Sequence, residues 1–168
     1  KLEHINSHYI GAMPTETFVD EVSEYINKIG WSPANYDRSI LEALAPHLQQ
    51  RATRIPDVVP LLDWVFEDEL PEETNEKEVL KIAKAMGADL VPEILEEVVG
   101  RLQDCDWDAE TLSSEIREVG DVLNTKSQVP VRIAVTGRRT GLPLFEPMAY
   151  LSRELVLERL QRARSNLR

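Results

Sequence analysis

The residues with the most chemical capacity lie between Arg132 and Glu146, in the run Arg-Ile-Ala-Val-Thr-Gly-Arg-Arg-Thr-Gly-Leu-Pro-Leu-Phe-Glu. Arg132, Arg138 and Arg139 supply planar, permanently charged donor forks. Gly137 and Gly141 allow positive φ, so the backbone between them can turn sharply and expose its own N–H and C=O groups. Bare backbone polar groups framed by guanidinium forks suit a polyanion with readable edges, such as single-stranded RNA. A helix–loop–helix joint with solvated arginines accounts for the same residues, and the stretch alone leaves both open.

Other chemistries leave no comparable trace. His4 and His8 form an i, i+4 pair, but no third ligand is marked nearby and no His-Glu-x-x-His pattern occurs, so neither they nor His47 predict a metal site. No phosphate-loop, Gly-x-Ser-x-Gly or Gly-x-Gly-x-x-Gly pattern is present. The acidic residues gather on connectors rather than in an opposed pair. Cys105 sits between Asp104 and Asp106, without the positive surroundings that make a thiolate. No catalytic residue is expected in this chain.

The elements that would carry the arginine-rich run are helical. Leu2, Ile5, Tyr9 and Ile10 predict a short helix ending before Gly11. Thr15 reads as the N-cap of a second, whose face of Phe18, Val22, Ile26 and Ile29 stops at Gly30. Ser32-Pro33 reads as the next helix start, leading to Ile40, Leu41, Leu44 and Leu48 with a kink at Pro46. Ile55-Pro56 opens a short helix burying Val58, Val59, Leu61, Leu62, Trp64 and Val65. Glu67, Asp68, Glu69, Glu72, Glu73 and Glu76, with Pro71, form an acidic connector that does not pack, dividing the chain into subdomains 1–70 and 71–168.

Beyond the connector, Val79, Leu80, Ile82, Ala83 and Met86 mark a helix closed by Gly87. Leu90, Ile94, Leu95, Val98, Val99 and Leu102 mark the next, with Pro92 in its first turn. Asp108 caps a third that buries Leu112, Ile116, Val119, Val122 and Leu123, with Trp107 packed against its start. Val131, Ala134 and Val135 lie on a short helix before the 137–143 loop, although Val131–Val135 is also the one strand-like run. Leu144, Phe145, Met148 and Leu151 follow, and Ser152 caps a last helix where Leu155, Val156, Leu160 and Ala163 alternate with Arg153, Arg159, Arg162 and Arg164. No period-2 alternation with regular turn signals occurs, so the fold class is all-α.

Composition bounds the rest. With 168 residues and 42% hydrophobic content the chain can bury one ordinary core or two small ones. No run of 18 apolar residues predicts a membrane span. The single cysteine fits a reducing compartment, and a cytoplasmic location is expected. The chain has no initiator Met and no signal-peptide core, so it reads as a piece of something longer or a processed product. Its net charge of −11 is unevenly divided: residues 129–168 hold eight Arg and three Glu, net +5, which leaves 11 basic and 27 acidic side chains in 1–128, net −16. Such a chain can meet RNA through one end.

Two stretches resemble a known family. Lys1-Leu2-Glu3-His4-Ile5-Asn6-Ser7-His8-Tyr9-Ile10 is similar to the Lys-Leu-x-x-x-Asn-x-x-Tyr-Ile segment that opens the anticodon-binding domain of bacterial-type glutamyl-tRNA synthetases. The run Arg132 to Gly137, with Pro143-Leu144-Phe145-Glu146 and Leu157-Glu158-Arg159-Leu160, resembles that domain's C-terminal signature. Order and spacing match from residue 1 to about 165.

The resemblance implies an all-helical cage of two subdomains around a tRNA anticodon loop. It also implies that the catalytic domain, which would use ATP with Mg to join glutamate to tRNA, is absent: neither class I signature (His-Ile-Gly-His or Lys-Met-Ser-Lys-Ser type) occurs. The implied partner is a glutamate-accepting tRNA, with no DNA and no membrane, bound by a monomer. Arg51, in Leu48-Gln49-Gln50-Arg51, aligns with the arginine that reads the third anticodon base in the family. Its alternative is a surface pair with Asp57. Arg132 aligns with an anticodon contact, and Gly141, Leu142 and Leu144 with a loop whose backbone reads the nucleotides.

Three positions depart from the family pattern. His4 replaces a frequent aromatic and Ser152 a usual glycine, which puts local packing in question, and Arg138-Arg139 is more basic than usual. The rival from another class is a helical protein–protein adaptor in which the 129–168 arginines meet an acidic partner.

Overall fold

Apolar residues spaced three and four apart decide where this chain coils. The computed structural model describes residues 8–70 and 72–168, with 72–74 described by their backbone alone. Among the described residues all regular structure is helical. After a helical stretch over residues 8–12 come α1 (Thr15–Ile29), α2 (Arg38–Arg51), a 3-10 turn (Ile55–Asp57), α3 (Val58–Phe66), α4 (Glu72–Met86), α5 (Leu90–Leu102), α6 (Ala109–Val122), α7 (Gln128–Thr136), α8 (Phe145–Ala149) and α9 (Arg153–Ser165). The backbone separates into two compact units. One comprises the residues up to Asp68 together with Gly141–Pro143; the other comprises Glu69–Thr140 and Leu144–Arg168.

In the first unit α1 packs on α2, and Phe18, Val22, Leu41, Leu44, Leu48, Leu62 and Phe66 are removed from solvent. Leu142, far along the chain, is also fully buried in this unit. The buried Gln49 side chain holds a helix end in place. Its Nε2 donates to the carbonyls of Ile10 (3.0 Å) and Met13 (2.7 Å), closing the end of the first helical stretch. That explains why helix continues through Gly11 to residue 12 instead of ending before the glycine. Residues 1–7 of that expected helix, including His4, lie outside the described residues.

Two expected caps fall elsewhere. Pro14, not Thr15, occupies the N-cap of α1, and the Thr15 hydroxyl lies 3.4 Å from Gln49 Oε1. α2 begins not at Ser32-Pro33 but after Asp37, whose carboxylate accepts from the Ser39 N–H at 2.8 Å. The intervening residues are held by an aromatic cluster: Tyr36 meets Phe66 edge-on at 5.3 Å, Trp31 meets it at 6.3 Å, and the Asn35 N–H donates to the Phe66 carbonyl. α2 then runs through Pro46 to Arg51.

In the second unit α5 is central, touching α4, α6, α7 and α9, and its Ile94, Leu95, Val98 and Leu102 are buried. α4 begins at Glu72, so the acidic run expected to be a non-packing connector is partly helix, and Leu70 and Asn75 are buried. Val131–Val135 lies on α7, all but Arg132 buried, and forms no strand. Asp108 and Ser152 cap α6 and α9 by accepting from the N–H groups of Thr111 (2.8 Å) and Leu155 (3.2 Å). Val122, expected in the core, is 66% exposed because it ends α6 beyond the apolar stripe.

The corner between α6 and α7 is tight. A Cβ placed on Gly120 would stand 2.7 Å from the Thr125 carbonyl oxygen and 2.9 Å from Ser127 Oγ. Gly120→Ala therefore forces backbone apart, with an expected loss of about 1–3 kcal/mol, measured by urea denaturation. The caps give a pH effect. Hydrogen bonds from Ser39 to Asp37, and from Thr111 to Asp108, hold both carboxyls below their ordinary 3.8. A depressed folded value stabilises above the unfolded pKa and is lost as pH falls through the folded one. Thermal melts should therefore show stability falling below about pH 4, and Asp108→Asn, which keeps an acceptor at the cap, should lessen that fall.

Candidate nucleic-acid interface

Arg51 ends α2, and its side chain is exposed. Its Nε donates to the Gly141 carbonyl at 2.8 Å, and its Nη1 lies 3.4 Å from the His47 carbonyl of the preceding turn. Asp57 is not its partner: that carboxylate accepts from the N–H groups of Thr53 and Arg54 and from the Arg54 guanidinium. Gly141 has φ +153, a backbone region that favours glycine, and this turns its carbonyl to Arg51. Leu142 beside it is fully buried. A hydrogen bond at Nε fixes the plane of the guanidinium while Nη2 and most of the Nη1 donor capacity remain available.

The other expected site residues belong to the second unit. Arg132 is half-buried on α7 and lines a cleft at the α6–α7 corner. α7 ends at Gly137 in the left-handed region, φ +77, with its N–H bonded to the Ile133 carbonyl. The Thr136 hydroxyl then ties the turn: it accepts from the Arg138 N–H at 3.1 Å and donates to the Arg138 carbonyl at 3.0 Å. Arg138 is half-buried, and Arg132 and Arg138 each have a partner within the fold. Arg139 is exposed. Leu144 is buried, so it, like Leu142, can offer a ligand only its backbone. Thus the structure joins Arg51 to Gly141 directly, sets Leu142 and Leu144 in the cores, and leaves Arg139 as the most open of the three loop-flanking arginines.

Several of the remaining arginines are structural. Arg153, at the first residue of α9, donates to the carbonyls of Leu102 (2.8 Å), Gln103 (2.6 Å) and Cys105 (2.7 Å), and its guanidinium lies 5.1 Å from the Trp107 ring centre. Trp107 in turn donates from Nε1 to the Leu151 carbonyl at 2.8 Å, so its role is packing. Arg159 is only 5% exposed and donates to the Val135 carbonyl at 2.9 Å. Arg164 pairs with Glu96 at 2.9 Å. Arg159 stands among Val156, Leu160 and Ala163 on one helical face, a spacing that marks it as buried from sequence. Burial raises the Cys105 thiol above its ordinary value, the opposite of what a reactive thiolate needs.

Residues 17–164 match the family model of an anticodon binding domain. The chain belongs to the anticodon-binding domain family. Its relatives include the glutamate–tRNA ligases of Frankia casuarinae, 37% identical over 99% of this chain and 35% of the relative, and of Thermobifida fusca, 37% identical over the whole chain and 36% of the relative. The domain therefore spans about a third of the length of the curated relatives it matches. Among solved structures, a glutamate tRNA ligase from Elizabethkingia meningosepticum, determined in complex with its amino acid, superposes with a TM-score of 0.71 at 17% identity, covering 99% of this chain and 32% of that one. At that identity the likeness is one of fold, and it agrees with the all-α class expected from the sequence. No described helix is long and apolar enough to cross a membrane.

The Arg51 tether makes a spectroscopic prediction for the domain. Its Nε–H should exchange with water more slowly than that of exposed Arg139 in a nitrogen-detected NMR experiment. Gly141→Ala meets no close atom but strains a positive φ, at a cost of about 1–3 kcal/mol. It should displace the carbonyl and bring the two exchange rates together.

Proposed function

We propose that this domain recognises the anticodon of a glutamate-accepting tRNA as part of a glutamate–tRNA ligase, with Arg51 reading the third anticodon base. The observation that supports it most is the exposed Arg51 guanidinium held at Nε by the Gly141 carbonyl. Glutamate anticodons end in cytosine, glutamine anticodons in guanine. Cytosine presents two acceptors, O2 and N3, on its Watson–Crick edge, whereas guanine presents N–H donors. A guanidinium has only donors, so it pairs with cytosine and sets donor against donor with guanine. Fixing its plane in advance spares the rotamer entropy that a free arginine would lose on binding.

On this reading the subdomains 1–70 and 71–168 each supply contacts, with Gly141–Pro143 packed into the first. Arg132, Arg138 and Arg139 hold the nucleotide backbone, and the main chain at Gly141, Leu142 and Leu144 faces the bases. Neither class I signature occurs in this chain. ATP, Mg and the joining of glutamate are therefore proposed for the part of the relatives' length that this chain does not span. The protein acts as a monomer in the cytoplasm. A protein–protein adaptor would need the 129–168 arginines at the surface, and the internal commitments of Arg153, Arg159 and Arg164 count against it.

The test is a low-salt binding titration of wild type and Arg51→Gln against tRNA with cytosine or guanine as third anticodon base, run with this chain and with the full ligase. Wild type should prefer cytosine by about 1–3 kcal/mol, or roughly 5- to 150-fold. The variant, whose amide carries an acceptor as well as donors, should lose most of that preference. Equal affinity of the wild-type ligase for both tRNAs would sink the role of Arg51.

A further inference from the structure

We propose that the cleft at the α6–α7 corner is a phosphate-binding subsite that grips the sugar–phosphate backbone of the RNA, with Arg117 and Lys126 as its principal charges. The inference rests on the tRNA reading above and extends it to Arg117 and Lys126, which that reading does not use. The cleft, about 390 Å³, is lined by three cations, Arg117, Lys126 and Arg132, and one acid, Asp121, with the neutral donors Thr125 and Gln128 between them. Arg132 has a partner within the fold, so Arg117 and Lys126 carry the available charge; beside hydrogen-bond donors on a concave wall, they match a phosphodiester, which carries one negative charge and two free acceptor oxygens.

The charge pattern around the cleft carries the argument. Arg117 and Lys126 lie within the 1–128 portion, where acidic side chains outnumber basic ones 27 to 11. Four of its other cations find carboxylates: Arg38 pairs with Asp20 and Glu42, Arg54 with Asp57, Lys81 with Glu78 and Arg101 with Glu115 and Glu118. Arg117 and Lys126 form no ion pair among the described residues, although Asp121 stands four residues beyond Arg117 on the same helix. Glu115 and Glu118, next to Arg117 in the chain, are drawn to Arg101 at 3.1 and 2.7 Å. Two exposed cations are thus kept out of ion pairs on the most acidic part of the chain.

The corner is also stiff. Gly120 admits the close approach of Thr125 and Ser127, the Thr125 N–H donates to the Gly120 carbonyl at 2.9 Å, and the buried Ser127 hydroxyl donates to the Ile116 carbonyl. A subsite on a corner fixed in this way needs little rearrangement to accept a phosphate. It reads no base, so it adds affinity without altering the choice between cytosine and guanine.

The test is the salt dependence of binding to an anticodon stem–loop RNA, for wild type, Arg117→Gln, Lys126→Gln and the double variant, with Lys84→Gln as an exposed cation elsewhere in the same unit. Each neutralised phosphate contact contributes about 0.7–0.9 to the slope of log K against log salt. Each cleft variant should flatten that slope by about that amount and weaken binding several-fold, equally for cytosine and guanine RNAs, while Lys84→Gln leaves it unchanged. A slope unmoved in the double variant overturns the subsite, and so does a slope moved as much by Lys84→Gln. Should wild type show no base preference while the cleft variants still flatten the slope, the Arg51 reading fails and the subsite stands. Inorganic phosphate provides a second reading without RNA: amide shifts confined to residues 117–132 and abolished in the double variant support the subsite, and their absence in wild type counts against it.

Discussion

A helix must end, and its last carbonyls then need donors. In this chain arginine meets that need at two helix ends and does the same for a loop carbonyl. Arg153 gathers three carbonyls where α5 gives way to the 103–108 loop, Arg159 takes the Val135 carbonyl in the last turn of α7, and Arg51 takes the carbonyl at the Gly141 turn. A guanidinium is suited to this because its donors spread over a rigid plane and can hold several acceptors at once. An unpaired buried carbonyl costs about 1–3 kcal/mol. The loops that could meet a nucleotide keep their shape largely because such donors stand behind them.

This constraint changes the meaning of the charge distribution. The net charge of +5 over residues 129–168 suggests a basic end, yet Arg153 and Arg159 direct their donors to backbone and Arg164 is paired with Glu96. Conversely, the acidic portion contains Arg117 and Lys126, which no carboxylate engages among the described residues. Where RNA would be held is therefore set less by the sum of charges along a segment than by which cations the fold leaves without a carboxylate. Segment charge is a property of the sequence, and available charge is a property of contacts.

Periodicity made the helices legible because an amphipathic face must recur near every 3.6 residues to be buried at all. Asp108, Ser152 and Gly137 were readable as boundaries, since each satisfies or terminates its own helix end by local geometry. Asp37 was not. The residues before it stay out of helix because Trp31 and Tyr36 pack on Phe66, far along the chain, and no local signal carries that contact. The Gly11 end failed for the same reason, through Gln49. Arg51 and the 132–146 run were visible as chemistry, but the link between Arg51 and Gly141 spans 90 positions and only tertiary structure reveals it.

The acceptor that holds Arg51 belongs to the main chain. Any residue at position 141 other than glycine would still bring a carbonyl with it, so substitution can tilt this support but cannot delete it. Variation there acts as a dial, turned by how far each side chain pulls φ from its present value. A side-chain partner in the same place would have been a switch, lost in a single change. Tuning by degrees suits a group that must discriminate between two similar ligands, since small rotations of a donor plane trade fidelity against tolerance without abolishing the grip.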